Sequence, residues 1–170
     1  MYFIGDQCAH VLADYIEADG GLAERMKEQL GEQEFFRLKI RKSPVIRTQA
    51  ASSLLEKSQA TLFPICQVYC RQTVNKLGEK FSEVSGSAEV VIQCTVTAES
   101  FEGLANAMSA AVRCLTDMVG RKRGVLMPGA YMNGSWAVTT EAAQAGGRKF
   151  TQSCKVVVGI DIKKPERNCK

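Results

Sequence analysis

The chain has 170 residues, a length typical of one domain with a modest core. Apolar residues make up 45% and charged residues 24%, which excludes a disordered chain, a collagen and a coiled-coil rod. No apolar run approaches the roughly 18 residues of a membrane span, and residues 1–6 lack the pattern of a secretory signal. We therefore expect no membrane contact. The net charge of +4 permits contact with nucleic acid without requiring it.

Residues 1–42 are predicted to form a helical N-terminal part. Asp6 is placed to cap a first helix, and apolar residues follow it at helical spacing. A pair of glycines interrupts this helix, and a second one is predicted over Leu22–Leu30. Residues 36–41 then alternate apolar and basic side chains, which is the period of a β-strand.

The segment between residues 43 and 62 has no clear period. Gln49–Gln59 is polar, and Leu54 and Leu55 are its only bulky apolar residues. The segment therefore fits either a short helix or a long loop, and an ordered loop of this length usually has a function.

The middle of the chain predicts two strands followed by a long helix. Phe63–Val74 is rich in β-branched and aromatic residues, and Glu89–Ala98 alternates as a half-buried strand does. Ser100 is placed to cap a helix that continues to Val119. Its apolar residues recur at steps of three or four and form one stripe: Phe101, Leu104, Met108, Ala111, Leu115 and Met118.

The remaining segments predict further strands. Asn133-Gly134 is typical of a tight turn, Trp136–Thr140 alternates, and Phe150–Ile162 forms the closing strand. The order predicts one domain, 1–170, with an α+β fold. Its mostly antiparallel sheet carries one long helix, about residues 100–119, on one face, next to the N-terminal helices.

The search for catalytic chemistry gives no candidate. The seven cysteines lack the paired spacing of a zinc site, so we interpret them as reduced, buried thiols. His10 and Cys8 are two residues apart, positions that do not face each other on a helix. The motifs of serine hydrolases, zinc proteases and P-loop proteins do not occur. We therefore predict that the protein is not an enzyme and has no catalytic residue, metal or cofactor.

The densest basic cluster is Arg121-Lys122-Arg123. These side chains either complement the negative end of a helix in water or contact DNA or an acidic partner. Aromatic residues do not alternate with the basic ones, as they do in proteins that bind single strands.

The second half of the chain carries a recognisable pattern. An alternating strand, Ala88–Ala98, leads into Glu99-Ser100-Phe101-Glu102-Gly103-Leu104 at the start of the amphipathic helix. A Gly/Pro stretch, an aromatic strand and a closing strand after Gly147-Arg148 follow. With this pattern, residues 60–163 resemble the tail terminator and head-to-tail neck proteins of long-tailed bacteriophages.

The resemblance implies an α/β core over 60–163 and a structural role in the virion. Subunits of this family form a ring, usually hexameric, that caps the tail tube and meets the head connector. The implied partners are further copies of the chain, the tail tube protein and a head connector or stopper protein. DNA passes through the ring without sequence-specific binding. Such a protein is made in the cytoplasm of the bacterial host and carries no catalytic residues.

Ring contacts are predicted in two segments and at the basic cluster. Met127–Trp136 has a composition favoured at interfaces, and Gln49–Gln59 is long enough to reach a neighbouring subunit. The predicted contact residues are Gln49, Ser52, Ser53, Lys57, Arg121, Lys122, Arg123, Tyr131 and Trp136. The alternatives are that the aromatic residues belong to the core and that the polar segment only connects two elements.

Two other functions are weighed against the ring. One is a small cytosolic α/β binding or regulatory module, with nucleic acid as a candidate ligand, which predicts salt-dependent retention on DNA. The other is a thiol-dependent enzyme, which predicts one cysteine with fast, saturable alkylation.

Overall fold

The computed structural model of the chain describes residues 3–49, 63–76 and 85–164. Helices cover one face of a single curled sheet, so the fold is α+β. The helices are α1 Ile4–Glu17, α2 Gly21–Leu30, α3 Glu32–Arg37 and α4 Phe101–Arg121. The strands are β1 Val45–Ile46, β2 Ile65–Asn75, β3 Gly86–Ala98, β4 Gly124–Met127, β5 Ala130–Thr140, β6 Gln144–Gly146 and β7 Lys149–Ile162.

The strand order in the sheet is β1-β2-β3-β7-β5-β4, and β6 pairs with the beginning of β7. Every pairing is antiparallel except that of β1 with β2. The longest pairing joins β3 to β7, with Gly86 opposite Ile162 at one end and Ala98 opposite Phe150 at the other. The sheet is therefore mixed, with a single short parallel strand at one edge.

The core lies between the helices and one face of the sheet. The alternate residues of β3 that were predicted to share a face are all buried, and so are the β7 partners of the first three, Val158, Val156 and Cys154. Helix α4 packs on β3 and β7, while α1 packs mainly on β2. On this face, the buried residues of β3 are Val90, Ile92, Cys94, Val96 and Ala98. Those of β7 are Cys154, Val156, Val158, Ile160 and Ile162.

Helix α4 begins as predicted, but its first apolar residue does not join the core. The Ser100 hydroxyl accepts a hydrogen bond from the Gly103 N–H at 3.1 Å, which confirms the predicted cap. The stripe from Leu104 to Met118 is buried. Phe101 is 66% exposed and stacks on Phe150, with 4.1 Å between the ring centroids. Its position in the first turn, at the end of the sheet, accounts for this exposure.

The prediction of a strand over residues 36–41 is wrong. Helix α3 extends to Arg37, and Phe35, not Phe36, is the aromatic residue buried in the core. Arg37 donates two hydrogen bonds to Glu34, one helical turn away, at 2.6 and 2.7 Å. The alternation of apolar and basic residues therefore did not reflect a strand. Asp6 likewise lies in the first turn of α1 and is not its cap, because Phe3 occupies the N-cap position.

Asn133-Gly134 does not form the predicted tight turn between strands. It lies inside β5, where the register with β7 shifts between Met132 and Trp136. The Asn133 carboxamide oxygen accepts hydrogen bonds from the Ser135 N–H (2.9 Å) and hydroxyl (2.6 Å), which stabilise this bulge. The chain reverses earlier, between β4 and β5, where Gly129 has a φ of +81°.

The other face of the sheet is more buried than a half-buried strand predicts. On β3, Val91, Gln93 and Thr95 are at most 6% exposed. The Thr95 hydroxyl shares a 2.6 Å hydrogen bond with that of Ser153, directly opposite on β7. Both faces of β3 therefore exclude water from Val91 to Thr95, and the alternation of polar residues did not predict this.

Candidate interaction surface

A shallow, open groove of about 440 Å³ lies between the second half of α4 and the bulged part of β5. The helix contributes polar and charged side chains that recur at helical spacing, and β5 contributes one large aromatic ring. The lining residues are Arg113, Thr116, Asp117, Gly120, Arg121, Arg123 and Trp136.

Trp136 is the apolar anchor of this groove. Its Cα partner on β7 is Val158, a core residue, so the indole lies on the helix-covered face of the sheet. It remains 48% exposed, because it lies at the outer edge of that face. Exposed apolar surface costs about 25 cal/mol per Å² relative to burial. A half-exposed tryptophan flanked by arginines has the composition of an interface hot spot.

The charge of the groove is predominantly positive. Three of its lining residues are arginines, and Asp117 is the single carboxylate among them. Arg121 pairs with Asp117 at 2.9 Å, one helical turn away. Within the described residues, no side chain pairs with the guanidinium group of Arg113 or of Arg123. Two guanidinium groups are therefore available to acidic groups or carbonyl oxygens of a partner.

The strand beside the groove has an unpaired edge. β4 pairs only with Ala130–Met132, so it does not extend along the rest of β5. Residues 136–140 pair with β7 on one side, and in the described part of the chain no strand lies on the other side. Such an edge presents backbone N–H and C=O groups to another chain. We call this edge, together with the groove, the β5 surface.

The structure places three of the predicted contact residues together on the β5 surface: Arg121, Arg123 and Trp136. Lys122 lies elsewhere, with its ammonium group 5.3 Å from the centroid of the Tyr15 ring. Tyr131 is on the opposite face of the sheet, since it pairs with Asp161, and Lys163 lies over its ring at 5.2 Å.

The predicted contacts in the polar segment are not part of this surface. Gln49 is exposed but does not line the groove. Ser52, Ser53 and Lys57 lie outside the described residues. Sequence reasoning missed Arg113, Thr116 and Asp117, although their helical spacing relative to Arg121 could have indicated one polar face of α4.

The cysteines in the described residues are free thiols, and four of them lie in environments that suppress reactivity. Six of the seven lie in the described residues; all six are free, and five are buried. Burial raises the pKa of Cys66 to about 12 and the pKa of Cys8 and Cys114 to about 11. The hydrogen bond to Cys154, followed by burial, raises the pKa of Cys94. Because the thiolate is the reactive form, these four cysteines are poor nucleophiles near neutral pH.

Across residues 3–49, 63–76 and 85–164, no group of three His, Cys, Asp or Glu side chains could hold a metal ion. No helix in the same ranges is long and apolar enough to cross a membrane.

No protein-family model and no curated protein matches the chain.

Proposed function

We propose that the protein is a structural, non-enzymatic subunit of a homo-oligomeric ring in the neck or at the tail terminus of a long-tailed bacteriophage. The observation that carries this proposal is the β5 surface, in which an unpaired strand edge adjoins a half-exposed tryptophan and two unpaired arginines. These are the features by which one folded subunit can extend its sheet into another.

The sheet offers a second edge at its opposite end. β1 pairs only with Cys66 and Gln67 of β2, so residues 69–74 have β3 on one side and, in the described ranges, no strand on the other. An edge at each end permits head-to-tail contact between β5 of one copy and β2 of the next. A contact of this heterologous type closes into a ring when the rotation between copies is a simple fraction of a turn.

The resemblance of residues 60–163 to tail terminator and neck proteins supports the assignment of the ring to a virion. On this proposal the ring is hexameric, and one of its faces caps the tail tube. The other face meets the head connector or stopper protein, and DNA crosses the lumen without sequence-specific contact. A sheet whose one face is packed by the long helix α4 and by the N-terminal helices provides a rigid subunit for this purpose.

Sedimentation velocity of the purified protein with matched variants tests the β5 surface. We expect the wild-type protein to sediment as an oligomer and Trp136→Ser to dissociate. Loss of a hot-spot side chain costs at least about 2 kcal/mol, or roughly a thirtyfold weaker association. Phe36→Ser is the control, because Phe36 is 66% exposed on α3, beside the first half of α4. Equal effects of the two substitutions would contradict a role for the β5 surface.

A charge variant separates the groove from the strand edge. Arg113→Glu reverses one unpaired guanidinium on the exposed side of α4 without changing any residue of β5. We expect its oligomer to weaken and to recover partly at high salt, which screens the new repulsion. If Arg113→Glu leaves the association constant of the oligomer unchanged, the interface is restricted to the strand edge. A wild-type protein that is monomeric at every concentration would instead support the small binding or regulatory module.

A further inference from the structure

A second concave site lies at the other end of α4, remote from the β5 surface. It has a volume of about 440 Å³ and is formed by the segment after α3, the end of β3 and the start of β7. Four of its lining side chains are basic, and we call it the basic cleft: Arg37, Lys39, Arg41 and Lys149. The cations come from segments more than 100 residues apart, so their convergence was not visible in the sequence.

The basic cleft contains more positive charge than its own acids neutralise. Glu99 is the one carboxylate among its lining residues, and its partner is Lys39 at 3.1 Å. Arg37 is held by Glu34 at 2.6 Å. Within the described residues, the side chains of Arg41 and Lys149 have no hydrogen-bond or ion-pair partner. These two cations are therefore available to an anionic ligand.

Two further observations indicate a field that favours anions in the basic cleft. The pKa of Glu99 is lowered, first by its hydrogen bond to Lys39 and further by Lys149 and Arg148. These cations are therefore close enough together to act on one group. Ser100, the N-cap of the 21-residue helix α4, also lines the cleft, so the positive end of the helix dipole points toward it.

An exposed aromatic ring lies one residue beyond the lining of the basic cleft. Phe101 and Phe150 directly follow the lining residues Ser100 and Lys149, and their rings stack with centroids 4.1 Å apart. Phe150 contacts the core, whereas Phe101 is 66% exposed, so one face of the stack is open. The stack therefore follows two lining residues of the basic cleft, Ser100 and Lys149, which belong to different elements of the fold.

We propose that the basic cleft binds single-stranded nucleic acid without sequence preference, with phosphates on Arg41 and Lys149 and a base stacked on Phe101. Free cations and a helix N-terminus suit phosphate. An open aromatic face suits an unpaired base and has no counterpart in the recognition of a carboxylate chain. The proposal does not depend on the ring, since the residues of the basic cleft and of the β5 surface are different.

Fluorescence anisotropy with a labelled 20-nucleotide oligo(dT) tests this proposal on the full chain. Arg41→Gln/Lys149→Gln should weaken binding about tenfold and reduce the slope of log K against log salt by about 1.4, since each phosphate contact contributes about 0.7. Arg71→Gln/Lys76→Gln is the charge-matched control. It removes two exposed cations about 20 Å or more from the cleft along β2 and should leave the affinity within about twofold.

Phe101→Ala distinguishes the single strand from other polyanions. It should weaken oligo(dT) binding about fivefold or more, because stacking of one base is worth about 1–3 kcal/mol. Binding of a labelled duplex or of a poly-glutamate peptide should change by less than about twofold. Circular dichroism verifies that each variant is folded. Tighter binding of poly-glutamate than of oligo(dT), or an unchanged affinity in Arg41→Gln/Lys149→Gln, would overturn the proposal while leaving the ring intact.

Discussion

Leu115 is the residue of α4 at which the packing of helix on sheet can be tested most sharply. Its side chain is fully buried in the stripe that faces β3 and β7. Truncation to alanine removes buried methyl groups and leaves a cavity, which costs about 2–5 kcal/mol in a packed core. Since domains of this size are stable by about 5–15 kcal/mol, the loss is a large share of the total.

The matched control is Phe101→Ala on the same helix. The sequence assigns both residues to one stripe, whereas the structure leaves Phe101 66% exposed with its ring on Phe150. Loss of this contact should cost about 1 kcal/mol. Urea unfolding followed by circular dichroism measures both free energies. Equal costs, or a cost below about 1 kcal/mol for Leu115→Ala, would refute the orientation of α4. Leu115→Asp should leave little soluble protein, because it buries a charge.

Three further predictions concern the thiols and the partly exposed ion-pair cluster of Arg47 with Asp14 and Glu17. In the native protein, iodoacetamide at pH 8 should modify Cys66 far more slowly than a free thiol, because the Cys66 pKa of about 12 leaves little thiolate. Peptide mapping measures the rate of labelling. Fast labelling of Cys66 would contradict its burial. The pKa values of Cys8, Cys66 and Cys114 are raised in the folded state, so above pH 9 these thiols lose their protons more readily in the unfolded chain than in the folded one. The stability that the three protonated thiols contribute is therefore complete below pH 9 and falls as the pH rises toward 11–12. The urea midpoint should therefore decrease above pH 9, and an unchanged midpoint at pH 10.5 would argue against the raised values. Arg47→Met leaves Asp14 and Glu17 without their shared cation, and it should lower the free energy of unfolding in urea by about 1–2 kcal/mol. Arg71→Met, at an exposed ion pair, should lower it by less than about 0.5 kcal/mol. Equal losses would show that the Arg47 cluster stabilises the fold no more than an exposed pair does.

Regular periodicity predicted the central elements well. The apolar alternation of β3 and β7 and the stripe of α4 each reflect one buried face, and the structure confirms them from Val90 to Ala98 and from Leu104 to Met118. The cap at Ser100 was also predictable, because a single hydroxyl satisfies a local backbone donor. These features depend only on residues that are near one another in the chain.

The errors arose where distant residues decide the local structure. Residues 36–41 alternate, but burial of Phe35 in the core shared with distant elements keeps residues 32–37 helical, and no strand follows over residues 38–41. Asn133-Gly134 is typical of a tight turn, but β5 pairs with β7 on both sides of it, so the dipeptide forms a bulge within the strand. Propensity is a weak preference that tertiary packing can override.

The candidate sites were partly predictable. The interface composition around Trp136 and the basic cluster at Arg121–Arg123 pointed to the end of α4 at which the groove lies. Whether a given side chain faces the groove depends on the strand register, which placed Tyr131 on the other face. The basic cleft could not be found from sequence, because Arg41 and Lys149 converge only through the pairing of distant strands.

The central proposal, a ring built through the β5 surface, is tested most directly by native mass spectrometry of the wild-type protein with negative-stain microscopy of the same sample. We predict a single oligomer, six times the 18.6 kDa subunit mass, with ring-shaped projections. The same measurement on Trp136→Ser should return the subunit mass. A wild-type protein that stays at 18.6 kDa at high concentration, and also in the presence of tail tubes, would contradict the ring.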